Sequence, residues 1–283
     1  MNPPAIVFPN LGIEIANLNR VALSVFGFQI YWYALFIIAG LMAGYFTASI
    51  EAKRTGQNVE LYKDILFVGG ISAFIGLRLF YVIFNWQVYS RNPIAIITGI
   101  REGGLAIIGG IIATIIATVI FARVRKADLW TMFDTGMPSF ALGQVIGRWG
   151  NFFNREAFGD YTNNLFAMGL PVGTRNATPL QLENTINVGG GEYFLAHPTF
   201  LYESLWNLVL FISLTVYRPR KAFKGEIFFL YLAGYGLGRA LIEPLRTDQM
   251  TFGSLPINLF FSILMCVLGI GFIIYFRVTG KSL

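Results

Sequence analysis

Long apolar stretches recur along the whole chain, and short polar segments separate them. Each stretch is close to the ~20 residues that a helix needs to cross a bilayer. The pattern predicts membrane-spanning helices at residues 21–49, 62–86, 103–122, 129–149, 199–217, 225–243 and 255–276. Because these seven spans are an odd number, we expect the two termini on opposite sides of the membrane.

The basic residues predict the orientation, because short cytoplasmic loops are enriched in Lys and Arg. The richer set of alternate connecting segments contains Lys53, Arg54, Lys63, Arg123, Arg125, Lys126, Arg218, Arg220, Lys221, Lys224, Arg277 and Lys281. The poorer set contains Arg20, Arg91, Arg101, Arg155, Arg175 and Arg246. We therefore expect the N-terminus outside and the C-terminus in the cytoplasm.

The longest connection, about residues 150–198, would then lie on the external side between the fourth and fifth helices. Its glycines and prolines, with Asp160, Asn163 and Asn164, are typical of turns and predict a small folded cap. The first residues, MNPPAIVFPNLG, lack the basic head of a cleavable signal peptide. We expect the first helix to act as the targeting signal.

Composition agrees with this pattern, since 55% of the residues are hydrophobic and only 13% are charged. Such a chain has too little polar surface for a soluble globule. We expect an all-α polytopic protein that forms a single integral membrane domain over residues 1–283, the external cap included.

The sequence offers few residues for metal or thiol chemistry. Cys266 is the sole cysteine and lies in the apolar run SILMCVLGIG, where packing is the favoured role. His197 is the sole histidine, and no nucleotide-binding glycine loop is present. These absences predict no metal and no cofactor, so catalysis would rest on Arg, Tyr, Asn and Glu.

The segment GRWGNFFNREAFGD at 147–160 follows an apolar run. It places Arg148, Asn151, Asn154 and Glu156 at or near membrane depth. Charged residues inside a membrane are expensive to bury and usually functional. This segment is the first candidate site.

A second cluster lies in FLYLAGYGLGRALIEPLR, where Tyr235, Arg239, Glu243 and Arg246 recur at spacings of four, four and three. At 100° per residue they would share one helix face. That face would be costly against lipid, so we expect it to point to the protein interior or to a wet cavity. The alternative is an Arg239–Glu243 ion pair that only locks helix packing.

Two further segments are weaker candidates. In HPTFLYES at 197–204, Pro198 suits a first helical turn, and His197 is better explained by capping or by anchoring the cap than by acid–base chemistry. The run EGGLAIIGG at 102–110 has more glycine than helix packing needs, and could let a lipid come near the backbone.

Together these features predict an outward-facing pocket in which Arg148 and Arg239 supply positive charge. Guanidinium groups match phosphate oxygens in bidentate geometry, and a low dielectric strengthens their effect on a developing charge. The anion most available to such a pocket is an anionic phospholipid.

The segment GRWGNFFNREAFG closely resembles the signature of bacterial prolipoprotein diacylglyceryl transferases, with its pattern G-R-x-G-N-F-x-N-x-E-x-x-G. The Y-W-Y at 31–33, EGGLAIIGG, HPTFLYE and YGLGRALIEPLR are similar to other blocks of that family, in the same order.

The resemblance implies transfer of an sn-1,2-diacylglyceryl group from phosphatidylglycerol to the lipobox cysteine thiol of a prolipoprotein. The products would be a thioether and glycerol-1-phosphate. The implied partners are phosphatidylglycerol, the signal peptides of prolipoproteins and the lipid bilayer, with no nucleic acid and no cofactor. The implied location is the bacterial cytoplasmic (inner) membrane, with the active site toward the external face.

The resemblance also implies the site residues. The family's essential arginines match Arg148 and Arg239, which would be catalytic and hold the phosphate. The other residues of the blocks, expected to bind phosphatidylglycerol or shape its site, are Tyr33, Gly150, Asn151, Asn154, Glu156, Gly159, Tyr235, Glu243 and Arg246.

One position departs from the family pattern, because Ile108 stands where well-studied members carry a histidine. Either that histidine is not a general base, or Glu243, Glu156, Tyr235 or His197 replaces it. A thiol with a pKa of about 8.5 is already partly thiolate at pH 7, so electrostatic assistance without a dedicated base is the preferred hypothesis.

A lipid or anion transporter would also use buried arginines and broken helices. Such transporters usually contain a repeated half, and the chain has no second copy of the GRWGN or YGLGR block. A receptor with seven helices is not excluded by the pattern alone.

Overall fold

The computed structural model describes residues 5–99, 103–249, 251–252 and 255–281. The helices there are α1 (Trp32–Arg54), α2 (Val59–Phe84), α3 (Trp86–Tyr89), α4 (Ala95–Thr98), α5 (Ile107–Val124), α6 (Leu129–Asn154), α7 (Pro179–Glu183), α8 (Thr199–Tyr217), α9 (Glu226–Ile242) and α10 (Ile257–Thr279). The strands are β1 (Ile6–Phe8), β2 (Ile13–Ile15), β3 (Val21–Val25), β4 (Phe28–Tyr31), β5 (Met168–Pro171), β6 (Thr185–Val188), β7 (Gly191–Ala196), β8 (Thr251–Phe252) and β9 (Leu255–Pro256).

Five of these helices are long and apolar enough to cross a membrane. They are α1, α2, α5, α8 extended to Arg220, and α10. The chain is therefore a mostly helical polytopic membrane protein. The predicted spans 129–149 and 225–243 coincide with α6 and α9, which lie outside this set. Helix α6 carries Asp134, Pro138 and Arg148, and α9 has only 17 residues.

The predicted first span, 21–49, was wrong at its beginning. Residues 21–31 form the antiparallel hairpin of β3 and β4, and the helix begins at Trp32. Phe26 and Gly27 make the two-residue turn, both with positive φ. Short apolar strands and helix segments have the same hydropathy, which is why the pattern did not separate them.

The expectation of an all-α protein was also wrong. A five-stranded antiparallel sheet has the order β2-β1-β5-β7-β6 and combines the N-terminal segment with the connection between α6 and α8. Its core contains Ile6, Leu170 and Phe194, and it continues onto Phe152 and Phe200 of the neighbouring helices. The predicted cap region thus contributes β5, β6 and β7 to a sheet whose other two strands, β1 and β2, come from the N-terminal segment.

The chain divides into two compact units, and the first comprises residues 1–44 and 136–283. Within it, α1 approaches α6 closely, since a Cβ on Gly40 would lie 2.9 Å from the carbonyl oxygen of Gly143. Helix α9 packs against α10 in the same manner at Gly236 and Gly269. At the end of α9 that is remote from Ile242, the buried Glu226 pairs with Arg277 of α10.

The second unit comprises residues 45–135. Its helices α2 and α5 touch through Gly76 and Gly109, where an added Cβ would overlap the opposite backbone. Arg78 of α2 is buried and donates hydrogen bonds to four carbonyl oxygens, among them those of Gly103 and Gly104 at 3.0 Å.

We expected a lipid to approach the backbone in the run 102–110. The carbonyl oxygens of Gly103 and Gly104 there accept hydrogen bonds from Arg78, and Gly109 packs against α2. Glu102 at the start of the run and the neighbouring Arg101 lie outside the described residues.

Candidate functional site

One buried carboxylate, Glu203 of α8, lies at the centre of the candidate site. Its Oε1 accepts hydrogen bonds from Nη1 of Arg239 and Nη1 of Arg246, each at 2.7 Å. Its Oε2 forms an ion pair with Nη2 of Arg148. Three guanidinium groups from α6, α9 and the segment after α9 therefore converge on one side chain that is 3% exposed.

A second buried carboxylate, Glu243, extends this arginine–glutamate cluster. Its Oε2 lies 2.5 Å from Nη2 of Arg239, and its Oε1 accepts a hydrogen bond of 2.9 Å from Asn258 of α10. The Arg239–Glu243 contact is close enough for an ion pair, although Oε2 has no hydrogen bond of acceptable geometry among the described residues. The ion pair that the sequence offered as an alternative therefore exists, inside a larger cluster.

The buried side chains of the cluster carry an excess of positive charge. Arg148, Arg239 and Arg246 carry three positive charges, and Glu203 and Glu243 carry two negative ones. A third carboxylate, the exposed Asp248, accepts two hydrogen bonds from Arg246, at 2.9 and 2.6 Å, and brings the formal charges to balance at the surface of the cluster. The buried part thus has an excess of positive charge and many N–H donors, as an anion site requires.

The expected helix face of Tyr235, Arg239, Glu243 and Arg246 is only partly realised. Helix α9 ends at Ile242, and Pro244 lies in a short 3-10 turn from Glu243 to Leu245. Arg246 is in extended conformation and reaches Glu203 from outside the helix. The expectation that Arg246 continues the helical stripe was wrong because proline ends the helix first.

The signature segment forms a neighbouring group around Glu156. Oε1 of Glu156 accepts hydrogen bonds from Asn154 at 2.9 Å and Asn151 at 3.3 Å. Arg175 approaches Oε2 at 3.8 Å and donates to the carbonyl oxygen of Asn154 at 2.7 Å. The two signature asparagines thus hold the glutamate.

The backbone of the signature is strained at two places. Arg155 and Ala157 both have left-handed φ values, 54° and 56°, which non-glycine residues rarely adopt. Strain of this kind concentrates at functional sites. Two residues later, a Cβ on Gly159 would overlap the carbonyl oxygen of Leu245, and Gly159 pairs with Arg246 as an isolated bridge. The segment is therefore folded tightly against the end of α9.

Two tyrosines border the cluster. Tyr33 of α1 packs on Gly150, where a Cβ would lie 2.7 Å from its ring, and it interacts electrostatically with Glu156 and Arg148. Tyr235 lines a cavity of about 10 Å³ together with Glu203 and Arg239. A cavity of that volume accommodates about one water molecule.

His197 takes part in the cap backbone. Its carbonyl oxygen accepts a hydrogen bond from Gly159 and its N–H donates to the carbonyl oxygen of Asp160. Burial lowers the pKa of the His197 imidazole, and the charge of Asp160 opposes this effect. The ring is therefore neutral at pH 7. Its Nδ1 lies 3.4 Å from the hydroxyl of Tyr202.

Ile108, at the position where a histidine was expected from the resemblance, is the second residue of α5 in the second unit and is partly exposed. Within the described residues, no group of three or more His, Cys, Asp or Glu side chains could hold a metal ion.

Sequence reasoning did not identify Glu203, Asn258 or Arg175. Glu203 lies within the HPTFLYES segment, and an acidic residue inside an apolar helix was the available signal. Asn258 gave no signal in the sequence, because its role depends on how α10 packs. Arg175 gave no signal either, because its role depends on the conformation of the loop before α7.

A family model described as "Prolipoprotein diacylglyceryl transferase" matches residues 20–275. Similar curated proteins carry the name phosphatidylglycerol–prolipoprotein diacylglyceryl transferase. One from Bacillus cereus (strain G9842) is 41% identical over 269 residues, which cover 95% of this chain and 96% of the relative. Others from Bacillus mycoides (strain KBAB4) and Bacillus anthracis (strain A0248) are each 40% identical over the same shares.

Glu203→Gln is expected to destabilise the protein, because it leaves three guanidinium groups facing an amide. Loss of one partner of a buried ion pair costs about 3–5 kcal/mol. The measurement is the thermal unfolding midpoint in detergent. The matched control is Ser204→Ala, which removes one hydrogen bond of 3.0 Å to Val145 at the next buried position, worth about 1 kcal/mol. Equal midpoints for the two variants would show that Glu203 does not hold the cluster.

Proposed function

The chain belongs to the prolipoprotein diacylglyceryl transferase family, and we propose that it performs the reaction at the arginine–glutamate cluster around Glu203. It is a transferase that moves a diacylglyceryl group to prolipoproteins. We propose phosphatidylglycerol as the donor and the lipobox cysteine of the precursor as the acceptor. The convergence of Arg148, Arg239 and Arg246 on one buried carboxylate is the observation that carries this proposal.

The sheet supports a count of seven membrane crossings. Strand β1 pairs with both β2 and β5, so the segment before α1 and the segment after α6 would lie on the same side of the membrane. An even number of crossings must separate them. With α1, α2 and α5 as candidate spans, we propose α6 as the fourth crossing. Its 26 residues reach about 39 Å.

The same reasoning applies to α9. Gly159 pairs with Arg246, and Asp160 donates to the carbonyl oxygen of Leu245, so the end of α9 lies on the side of the sheet. Helix α8 begins on that side, and the chain can return only if α9 crosses too. With α10 as the last span, the termini lie on opposite sides of one seven-helix membrane domain.

The Lys and Arg distribution supports an external sheet and a cytoplasmic C-terminus in the bacterial inner membrane. The cluster would then lie toward the external face. Arg148 is six residues before the end of α6, Glu203 four residues after the start of α8, and Arg239 three residues before the end of α9. At 1.5 Å per residue, each is about 5–9 Å from the sheet side. This depth suits a phospholipid headgroup.

In the proposed complex, the headgroup phosphate binds guanidinium N–H groups that Glu203 leaves available. Glu203 orients Arg148 and Arg239, so the donors are arranged before the lipid arrives. Tyr33, Gly150, Asn151, Asn154, Glu156 and Gly159 shape the neighbouring wall, with Tyr235, Glu243 and Arg246 around the cluster. The preceding signal peptide would hold the thiol near the lipid.

The sulfur of the precursor cysteine attacks the glycerol carbon that is esterified to the phosphate. A carbon–sulfur bond forms while the carbon–oxygen bond breaks, and its electron pair leaves with glycerol-1-phosphate. The phosphate gains negative charge as it departs. Arginine donors fixed in a low dielectric stabilise that charge more than the charge of the bound lipid, which lowers the barrier.

The thiol proton has no dedicated acceptor in this proposal. Glu203 and Glu243 are already bound to arginines, and Ile108 carries no base. The reactive species is therefore the thiolate that exists in equilibrium, and its proton passes to water. No cofactor takes part.

Arg148→Ala and Arg239→Ala should each slow thioether formation by about 10²–10³, the effect of losing one donor to a developing oxyanion. The assay incubates purified protein with phosphatidylglycerol and a lipobox peptide and measures the peptide mass. Lys221→Ala is the control, since Lys221 follows α8 at the opposite membrane side. Arg148→Lys keeps the positive charge but removes the paired N–H donors of the guanidinium group, so it tests the two contributions separately. Turnover equal to the control in both alanine variants would mean that the site is elsewhere.

The rate at limiting peptide should rise about tenfold per pH unit and level off near the peptide thiol pKa of about 8.5, because only the thiolate attacks. The imidazole of His197 has a lowered pKa, so as a base it would place the inflection below pH 6.5. His197→Asn should leave the inflection unchanged. An inflection that moves in this variant would assign His197 as the base.

A cysteine at position 221, in a protein with Cys266→Ala, should resist impermeant thiol reagents applied outside intact cells. A cysteine at Asn187, exposed on β6, should react readily. The basic loop at 218–224 would be retained in the cytoplasm, whereas the sheet would be external. Labelling at 221 with protection at 187 would invert the orientation.

A further inference from the structure

The hairpin of β3 and β4 separates apolar from polar side chains. Leu23 is opposite Ile30 and Val25 is opposite Phe28, and partners in a ladder point to one face. Ser24 is opposite Gln29 on the other face, where the Tyr31 hydroxyl donates a hydrogen bond of 3.0 Å to the Gln29 side chain. The hairpin is therefore amphipathic.

The apolar face has no cover within the described residues of its own unit. Residues 23–31 are all exposed, Phe28 to 65% and Phe26 at the tip to 97%. Residues 21–31 include no charged side chain. In water an exposed apolar surface of this kind would promote aggregation, so its presence indicates a partner that covers it.

Phe26, at the tip of the hairpin, is a residue type that its turn disfavours. Phe26 has φ 49° and Gly27 has φ 83°, the two positive values of a type I′ turn, which strongly favours Asn at the first position. A bulky aromatic residue there is strained and, at 97% exposure, gains almost no packing from the described residues. A contact outside the protein is the physical reason to retain it.

The position of the hairpin, directly before the first candidate span, indicates what Phe26 contacts. Tyr31 is followed directly by Trp32, the first residue of the candidate span α1, and the Trp32 N–H donates to the carbonyl oxygen of Arg20 at the base of the hairpin. The base thus lies at the membrane boundary, where Tyr and Trp are enriched. Arg20 is exposed there and can reach phosphate groups.

We infer that the hairpin lies in the membrane interface, with the Leu23–Val25–Phe28–Ile30 face and Phe26 inserted among the lipids and the Ser24–Gln29 face toward water. The partner is the lipid leaflet itself. The hairpin extends the first span sideways into the leaflet from which the protein takes its substrate. This inference depends on α1 crossing the membrane, and it is independent of the residues proposed for catalysis.

The test uses the full-length protein with Cys266→Ala, carrying one cysteine at position 26 or one at position 24. Each is labelled with an environment-sensitive fluorophore and reconstituted in phosphatidylglycerol–phosphatidylethanolamine vesicles. Lipids with a nitroxide on the acyl chain should quench the label at 26 at least about threefold more than the label at 24, because interfacial elements bury their apolar face ~5–10 Å deep. Aqueous iodide should quench in the reverse order.

Position 24 is a matched control because it lies on the same strand and points to the other face. The thermal unfolding midpoint of each labelled protein should equal that of the Cys266→Ala parent, since both positions are exposed. Equal quenching at the two positions by iodide, with none by lipid nitroxide, would overturn the inference. Protection of position 26 only after a signal peptide is added would also overturn it, and would assign the face to the precursor.

Discussion

The structure depends on a carboxylate that is buried among arginines inside a membrane protein. Glu203 and its three guanidinium partners would each be very unfavourable alone in this environment, and together they are tolerable only at hydrogen-bonding distance. The ends of α6, α8 and α9 must therefore stay together. The same requirement fixes the direction of the arginine donors before any lipid binds, which is the condition for stabilising charge that develops during a reaction.

The five-stranded sheet is coupled to that cluster through the signature segment. Asn151 and Asn154 hold Glu156, the left-handed Arg155 and Ala157 turn the chain, and Gly159 brings it against Arg246. The residues of the motif thus have two kinds of role. The asparagines and the glutamate provide polar groups near the site, whereas the glycine permits a contact between backbones that a side chain would prevent.

Much of the helical architecture could be predicted from hydropathy, because α2, α5, α8 and α10 each contain a long apolar run and begin within a few residues of the expected positions. The hairpin at 21–31 could not, since apolar strands resemble apolar helix segments at that length. The place of β1 and β2 in the sheet was unpredictable, because β1 joins it through β5, which lies far along the chain. Arg148, Arg239 and Glu243 were recognisable as charges in apolar surroundings. Glu203 required the fold, since only the packing of α8 reveals that three arginines share it.

The strand order has a consequence for biosynthesis. Residues 6–15 leave the ribosome well before β5, the strand that joins them to the rest of the sheet, which begins at Met168. The nascent strands β1 and β2 must therefore wait for the rest of the sheet until α1, α2, α5 and α6 have been synthesised. Asn258, which completes the surroundings of Glu243, arrives only with the last helix. The arginine–glutamate cluster is thus complete only once α10 has been made, and a chain that stops before α10 leaves Glu243 without the amide of Asn258.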